Sequence, residues 1–251
     1  MNENGSFPPL TAYLMLKMMV GRELGLLPIN LKTDMKIQNI FFDLDGTLIN
    51  SSRGIKYSLT KALSSVLPDF DLDQISDSLI GPTIGEMFKQ IIGSSDLALI
   101  DNLTQAYRKS YDNEGLEKTD IYEGVIETLC QFAHLNITMF VVTNKPSKPT
   151  FKILDRLQML HFFADVASPD TVNPPYTSKS AMCQHILTKY QINQQSAILV
   201  GDSRDDAQAA KSCELSFIAA TYGYGKVHES ETSEELCKIY SFPELIGLIK
   251  H

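Results

Sequence analysis

The chain has 251 residues, 43% of them apolar and 21% charged, a globular composition with room for one large domain or for a core domain and a smaller companion. A formal net charge of −8, with no run of Lys and Arg, argues against a nucleic-acid or anionic-membrane binder. No stretch approaches the roughly 18 apolar residues of a membrane span, and Cys130, Cys183, Cys213 and Cys237 lie far apart with no C-x-x-C pair, which predicts free, mostly buried thiols in a reducing, cytoplasmic setting.

Residues 1–34 read unlike the rest. Their most apolar part, "LTAYLMLKMMV", is short and broken by Lys17, and the leading "MNENG" carries no basic residue, which argues against a secretory signal. We read this segment as an accessory helix or an over-extended start, with the main fold beginning at Met35. The first strand follows over Ile37 to Phe42 and runs into "DLDGT", where Asp43 and Asp45 sit one residue apart before Gly46 and Thr47. Asp and Gly are ordinary turn residues, so this stretch alone is either a strand ending in a turn or a catalytic pair.

From residue 52 to 121 the strand signal disappears. Helical stripes take its place at Ile55, Leu59, Ala62, Leu63 and Val66, at Ile84, Met87, Phe88 and Ile91, and at Leu97, Ile100, Leu103 and Tyr107. Continuous apolar runs then return at Ile137 to Val142, Ala164 to Ala167, Ala197 to Val200 and Phe217 to Ala220, each separated by helix-like sequence such as the stripe Val125, Leu129, Phe132. Runs of that kind suit strands covered on both faces. Strand and helix in alternation predict a doubly wound parallel-sheet α/β core, 35–51 and 122–251, with a smaller all-helical domain, 52–121, inserted after the first strand.

Polar residues collect where these strands end. The first runs into Asp43 and Asp45, the second into Thr143 and Asn144, and the fourth into Gly201 and Asp202, followed by Asp205 and Asp206; Lys179 opens a helix after the third. In open parallel sheets, ligands bind outside the carboxyl ends of the strands.

With these four motifs in order, "DLDGT" at 43–47, "VTNK" at 142–145, Lys179 in "YTSKSA" and "GDSRDD" at 201–206, residues 37–225 resemble the haloacid dehalogenase superfamily. The helical interval resembles that superfamily's small α-helical cap of the C1 type on a Rossmann-like core. "LIGPTIGEMF" and "DIYEGVIETL" resemble its phosphoglycolate phosphatase-like branch.

The resemblance implies a phosphatase in which Asp43 is the nucleophile and forms an aspartyl-phosphate. Asp45 would protonate the leaving alcohol and then deprotonate water. Two carboxylates beside a phosphate dianion need a cation, and Mg²⁺ suits oxygen ligands. Its ligands would be Asp43, Asp202 and the carbonyl of Asp45, with Asp206 directly bound or one step behind. Lys179 would offset the remaining charge, and Thr143 with the amide of Asn144 would hold a phosphoryl oxygen.

Two assignments stay open in the sequence. The variable spacer "PDTVNPPYTS" allows Lys189 in place of Lys179, and Asp205 competes with Asp206, which is favoured. Asp45 argues against a dehalogenase or phosphonate hydrolase, which have no leaving alcohol to protonate. Thr47 favours a phosphatase over a sugar-phosphate mutase, and a non-catalytic binding descendant is the rival from another class.

The expected partner is a small phosphorylated metabolite, with no nucleic acid and no membrane; monomer and homodimer stay open. Residues 52–122 carry seven basic and eleven acidic groups with no basic cluster for a second phosphate, so a small monophosphate such as phosphoglycolate is expected. Gly81-Pro82-Thr83 is a candidate substrate-facing turn, Tyr222 to Gly225 reads only as a turn, and the five His residues carry no assigned role.

Overall fold

The tetrad Asn39–Phe42 forms β1, the middle of the core, because Ile40, Phe41 and Phe42 have apolar surface to cover on one side or the other. Ile40 and Phe42 join one buried cluster with Leu129, Phe132 and Phe242, while Phe41 points the opposite way into a second, with Phe140, Ile186 and Leu199. Alternate residues of a strand face opposite sides, so a sheet buried on both faces is stitched through its centre by consecutive aromatics. The Phe41 and Phe140 rings lie 5.1 Å apart across β1 and its neighbour. Burial of each such side chain stabilises the fold by about 1.5–3 kcal/mol.

The computed structural model describes residues 36–75, 79–225 and 237–249. The expectations for residues 1–34 lie outside the described residues. Around β1 stand β4 (Thr138–Val142), β5 (Asp165–Ala167), β6 (Ala197–Gly201), β7 (Ser216–Ala220) and β8 (Cys237–Ile239), in the order β5-β4-β1-β6-β7-β8. Every pairing in this sheet is parallel. The chain moves outward from β1 through β4 to β5 and then returns to the other side of β1, which makes the carboxyl end of β1 the switch point where such sheets bind ligands.

Register carries the motifs to that point. Phe42 pairs with Val141 on one side and Val200 on the other, so Asp43, Thr143 and Asp202 leave their strands at nearly one level. The helices that follow β5 and β6 are α6 (Lys179–Lys189) and α7 (Arg204–Ser212), and both start at this end of the sheet.

Between β1 and β4 the chain forms β2 (Ile49–Asn50), α1 (Ser52–Val66), α2 (Ile84–Ile92), α3 (Leu97–Ser110), a π-helical turn at Tyr111–Gly115 and β3 (Asp120–Ile121), before α4 (Val125–His134). The stripes of α1 and α2 bury Leu59, Leu63, Met87 and Phe88. Gly54 of α1 meets the π-helical turn so closely that a Cβ there would stand 2.1 Å from the Gly115 carbonyl oxygen.

Three sequence expectations change. The interval expected to hold no strand ends in β3, which pairs antiparallel with β2; two residues are too few to leave a periodic signal. Leu97 is 81% exposed at the start of α3, so that helix's buried face runs through Leu103 and Tyr107 without it. A sixth strand, β8, closes the sheet and precedes α8 (Leu245–Ile249); "CKI" has a lysine at its centre and no apolar run to announce it.

Thr83 is the N-cap of α2, in a capping box with Glu86, so its hydroxyl is directed along its own helix. After β4 comes α5 (Ser147–Arg156). Among the described residues no helix is long and apolar enough to cross a membrane, and all four cysteines are free.

Candidate active site

Asp43 leaves β1 with its amide still bonded to the Val200 carbonyl at 2.9 Å, and its carboxylate is buried. Lys179, the first residue of α6 and also buried, places Nζ 2.7 Å from Asp43 Oδ1 and 2.6 Å from Asp206 Oδ1. Asp206 reaches that position from the first turn of α7, where it completes a capping box with Ser203: its other oxygen accepts from the Ser203 amide at 3.0 Å and from the Ser203 hydroxyl. The helix N-terminus favours the negative charge as well.

Of the two pairs left open by sequence, Lys179 and Asp206 lie with Asp43, and Lys189 and Asp205 lie elsewhere. Lys189 lies at the far end of α6 with its side chain 51% exposed, paired to Asp165. Asp205 points outward and accepts a 2.6 Å hydrogen bond from the Asn144 amide group.

Asp202 follows β6 and packs into a collar of glycines. Gly46 has φ +86°, and a Cβ there would meet Asp202 Oδ2 at 1.9 Å; at Gly223 the same oxygen would be 2.4 Å away. The Gly225 amide donates to Asp202 Oδ2 at 2.7 Å. Tyr222 to Gly225, read from sequence as a turn alone, is thus the wall that orients Asp202. Its Gly-x-Gly spacing is the signal that close backbone approach leaves in a sequence.

One oxygen from each of Asp43, Asp202 and Asp206 lies within 4.8 Å of the others. One ammonium, paired to Asp43 and Asp206, stands among three carboxylates, and the excess negative charge shows in the raised pKa of Asp43 and Asp202. Burial first, then Asp206, push the Asp202 carboxyl up to about 7. Burial likewise holds Asp43 well above the usual carboxylate range, against the pull of Lys179. For Lys179, burial opposes the charge, but Asp206 and Asp43 outweigh it and raise its pKa. A buried, all-oxygen, electron-rich cluster without His or Cys fits a hard divalent cation. Asp206 has both oxygens engaged by protein donors, so Asp43 and Asp202 are the freer ligands.

Asp45 takes a different path from Asp43. The chain turns sharply here, with the Gly46 amide on the Ile49 carbonyl at 2.9 Å. Lys145 Nζ stands 3.0 and 3.1 Å from the two Asp45 oxygens, and Ser51 Oγ donates to Oδ1. Ser51 is backed by the Tyr224 hydroxyl at 2.7 Å, and Lys145 by the Tyr111 hydroxyl at 2.8 Å. Sequence reasoning gave none of the four a role, although Lys145 closes "VTNK" and Tyr224 lies in the Tyr222 to Gly225 turn.

Thr143 is buried at the end of β4, and its Oγ1 accepts from the Lys145 amide at 3.1 Å, which leaves the hydroxyl hydrogen to donate elsewhere. Asn144 is exposed beside it, its side chain on Asp205. A cavity of about 410 Å³ lies against the Tyr222 to Tyr224 segment, lined also by Asn50, Arg53, Ile80 and Tyr122; Asp43, Asp45 and Thr143 do not line it.

Comparison with known proteins agrees with this geometry. The sequence model of the haloacid dehalogenase-like hydrolases matches residues 40–220. The phosphoglycolate phosphatase of Photobacterium profundum is 30% identical over 223 residues, covering 85% of this chain and 96% of its own. That of Vibrio parahaemolyticus is 30% identical over 229 residues, covering 86% and 98%. A crystal structure from Clostridium difficile, of a protein classed as a phosphatase, superimposes with a TM-score of 0.75 at 26% identity, over 86% of this chain and all of the other. The chain therefore belongs to the haloacid dehalogenase-like hydrolases, in their phosphoglycolate phosphatase-like branch, and is a phosphatase of that family.

Proposed function

We propose that the protein is a Mg²⁺-dependent phosphatase that hydrolyses a small phosphate monoester, phosphoglycolate or an ester of similar size, through an aspartyl-phosphate on Asp43. The observation that carries this reading is the separation of two neighbouring carboxylates onto different lysines, Asp43 on Lys179 and Asp45 on Lys145. Carboxylates in distinct environments take distinct chemical roles.

In the first step an Asp43 oxygen attacks phosphorus, the ester P–O bond breaks, and Asp45 gives its proton to the leaving oxygen. In the second, water attacks the same phosphorus and gives a proton to Asp45, and Asp43 leaves as a carboxylate with inorganic phosphate released. Lys179 offsets the charge of Asp43 throughout, and the Thr143 hydroxyl with the Asn144 amide holds a phosphoryl oxygen. Asp43, Asp202 and the Asp45 carbonyl would hold the Mg²⁺, with Asp206 behind; when bound, the ion neutralises the carboxylates and the phosphoryl oxygens.

Residues 52–121 are the proposed cap that closes over the carboxyl end of β1. The ester bound is that of the curated relatives, whose names specify phosphoglycolate. Four unpaired cysteines support a cytoplasmic setting. The partner is a small phosphorylated metabolite, not nucleic acid or membrane.

The test is phosphate release from 2-phosphoglycolate, other small esters and pyrophosphate, with and without Mg²⁺. Metal-dependent release that Asp43→Asn abolishes is expected. Transfer of phosphate within a sugar phosphate, with none released, would replace this reading with a mutase.

A further inference from the structure

Lys145 occupies a position that an ammonium does not reach without cause. Its side chain is 8% exposed, and its Nζ spends its three donor hydrogens on Asp45 Oδ1, Asp45 Oδ2 and the Tyr111 hydroxyl. The same nitrogen lies 4.5 Å from the centre of the Tyr111 ring, and that ring stacks on Tyr107 at 5.5 Å. Burying a lysine this way fixes a flexible side chain and removes water from its charge. Charge balance among the clustered carboxylates gives no reason for it, since Lys145 pairs with none of Asp43, Asp202 and Asp206.

The contacts instead define an orientation. Lys145 grips both oxygens of Asp45, Ser51 adds a third bond to Oδ1, and the three donors together fix the plane of the carboxylate. An acid–base group must lie within hydrogen-bond reach of the atom it serves, and misplacement by about 1 Å can cost on the order of 100-fold in rate.

Tyr111 brings the segment between β2 and β3 into this arrangement. It opens the π-helical turn, a form that recurs at functional sites. Basic residues along α5 clasp that turn and its continuation. Lys148 pairs with the Asp112 carboxylate at 2.9 Å, Lys152 donates to the Asp112 carbonyl at 2.9 Å, and Arg156 donates to the Thr119 carbonyl at 2.7 Å. Seating of the helical insert on α5 is therefore continuous with the grip of Tyr111 on Lys145 and of Lys145 on Asp45.

We propose that Lys145 is a positioning residue that holds Asp45 in line with the leaving oxygen, and that Tyr111, supplied by the helical insert, holds Lys145 in turn. The inference rests on the acid–base reading of Asp45 given above. Lys145 keeps its proton throughout; only Asp45 gives one to the leaving oxygen and later takes one from water.

The test is kcat/KM, which reports phosphoryl transfer to Asp43, across 2-phosphoglycolate, glycerol phosphate, phenyl phosphate and p-nitrophenyl phosphate. The last has a leaving group that departs without a proton. Asp45→Asn is the reference and is expected to lose about 10²–10⁴-fold on the alkyl esters and far less on p-nitrophenyl phosphate. Lys145→Met should reproduce that selectivity, with a loss of about 100-fold on alkyl esters against less than about 3-fold on p-nitrophenyl phosphate. Lys145→Arg should recover most of the alkyl activity, and Tyr111→Phe should show a smaller loss of the same kind. An equal loss on every ester in Lys145→Met, beside a selective loss in Asp45→Asn, overturns the inference alone; an unselective Asp45→Asn overturns the assignment of Asp45 itself. Thermal unfolding accompanies each assay, and if Lys145→Met does not fold, Lys145→Arg and Tyr111→Phe are judged by the same selectivity.

Discussion

Asp43 and Asp45, separated by Leu44 alone, are held by different lysines: Lys179, at the start of the helix that follows β5, for the first, and Lys145, just after β4, for the second. The turn at Gly46 makes this division possible, because a regular strand would send both side chains to the same face.

Removing Lys179 leaves two buried carboxylates without their shared cation. Lys179→Met is expected to destabilise the metal-free protein by about 3–5 kcal/mol and to lower kcat/KM by at least about 100-fold. Lys189→Ala, at the exposed end of the same helix, should retain full phosphatase activity. Chemical denaturation and steady-state kinetics on the two variants check both statements.

Asp202 sets a pH dependence whose sign follows from its raised pKa of about 7. A carboxylate that binds its proton more tightly folded than unfolded favours the fold at low pH, and that contribution is lost as pH rises from about 4 through 7. The metal-free protein should therefore unfold at a lower temperature at pH 8 than at pH 5.5. Mg²⁺ should raise the unfolding temperature at pH 8 much more than at pH 5.5, because protons compete for the same oxygens. Equal stabilisation by Mg²⁺ at both values would contradict a metal bound by these carboxylates.

Gly46 combines a positive φ with close approach to Asp202 Oδ2. Gly46→Ala is expected to cost about 1–2 kcal/mol in backbone strain and to displace Asp202 as well. The measurable outcome is loss of the Mg²⁺-dependent rise in unfolding temperature in a protein that still folds.

Thr83 offers a contrast inside the helical insert. Its hydroxyl and backbone exchange hydrogen bonds with Glu86 at the start of α2, so Thr83→Ala should cost about 1 kcal/mol of stability. Relative rates across the ester panel should not change. A changed ranking would make the Gly81-Pro82-Thr83 turn a specificity element.

The central strands were legible because a parallel sheet covered on both faces demands continuous apolar runs, and Ile40, Phe41 and Phe42 show why: consecutive side chains feed opposite cores. Asp43, Lys179, Asp202 and Asp206 could be listed from motif order, and the structure brings them together. Lys145 was written in the sequence beside Thr143 and Asn144, but its purpose depends on a carboxylate 100 positions away, and the Ser51–Tyr224 contact spans 173. No local pattern encodes such pairings. β2, β3 and β8 were missed for the opposite reason: two or three residues with a polar member carry too little periodicity to read.

The most direct test of the account is to ask where the phosphoryl group goes in Asp45→Asn. With p-nitrophenyl phosphate and Mg²⁺, this variant should still transfer phosphate to Asp43 but hydrolyse the product slowly, since no base activates water. Acid quenching and peptide mass analysis should then find a phosphoryl group on Asp43, and on no peptide of the Asp43→Asn, Asp45→Asn double variant. A phosphoryl group on another residue, or unimpaired turnover of p-nitrophenyl phosphate by the double variant, would contradict the roles assigned to both aspartates.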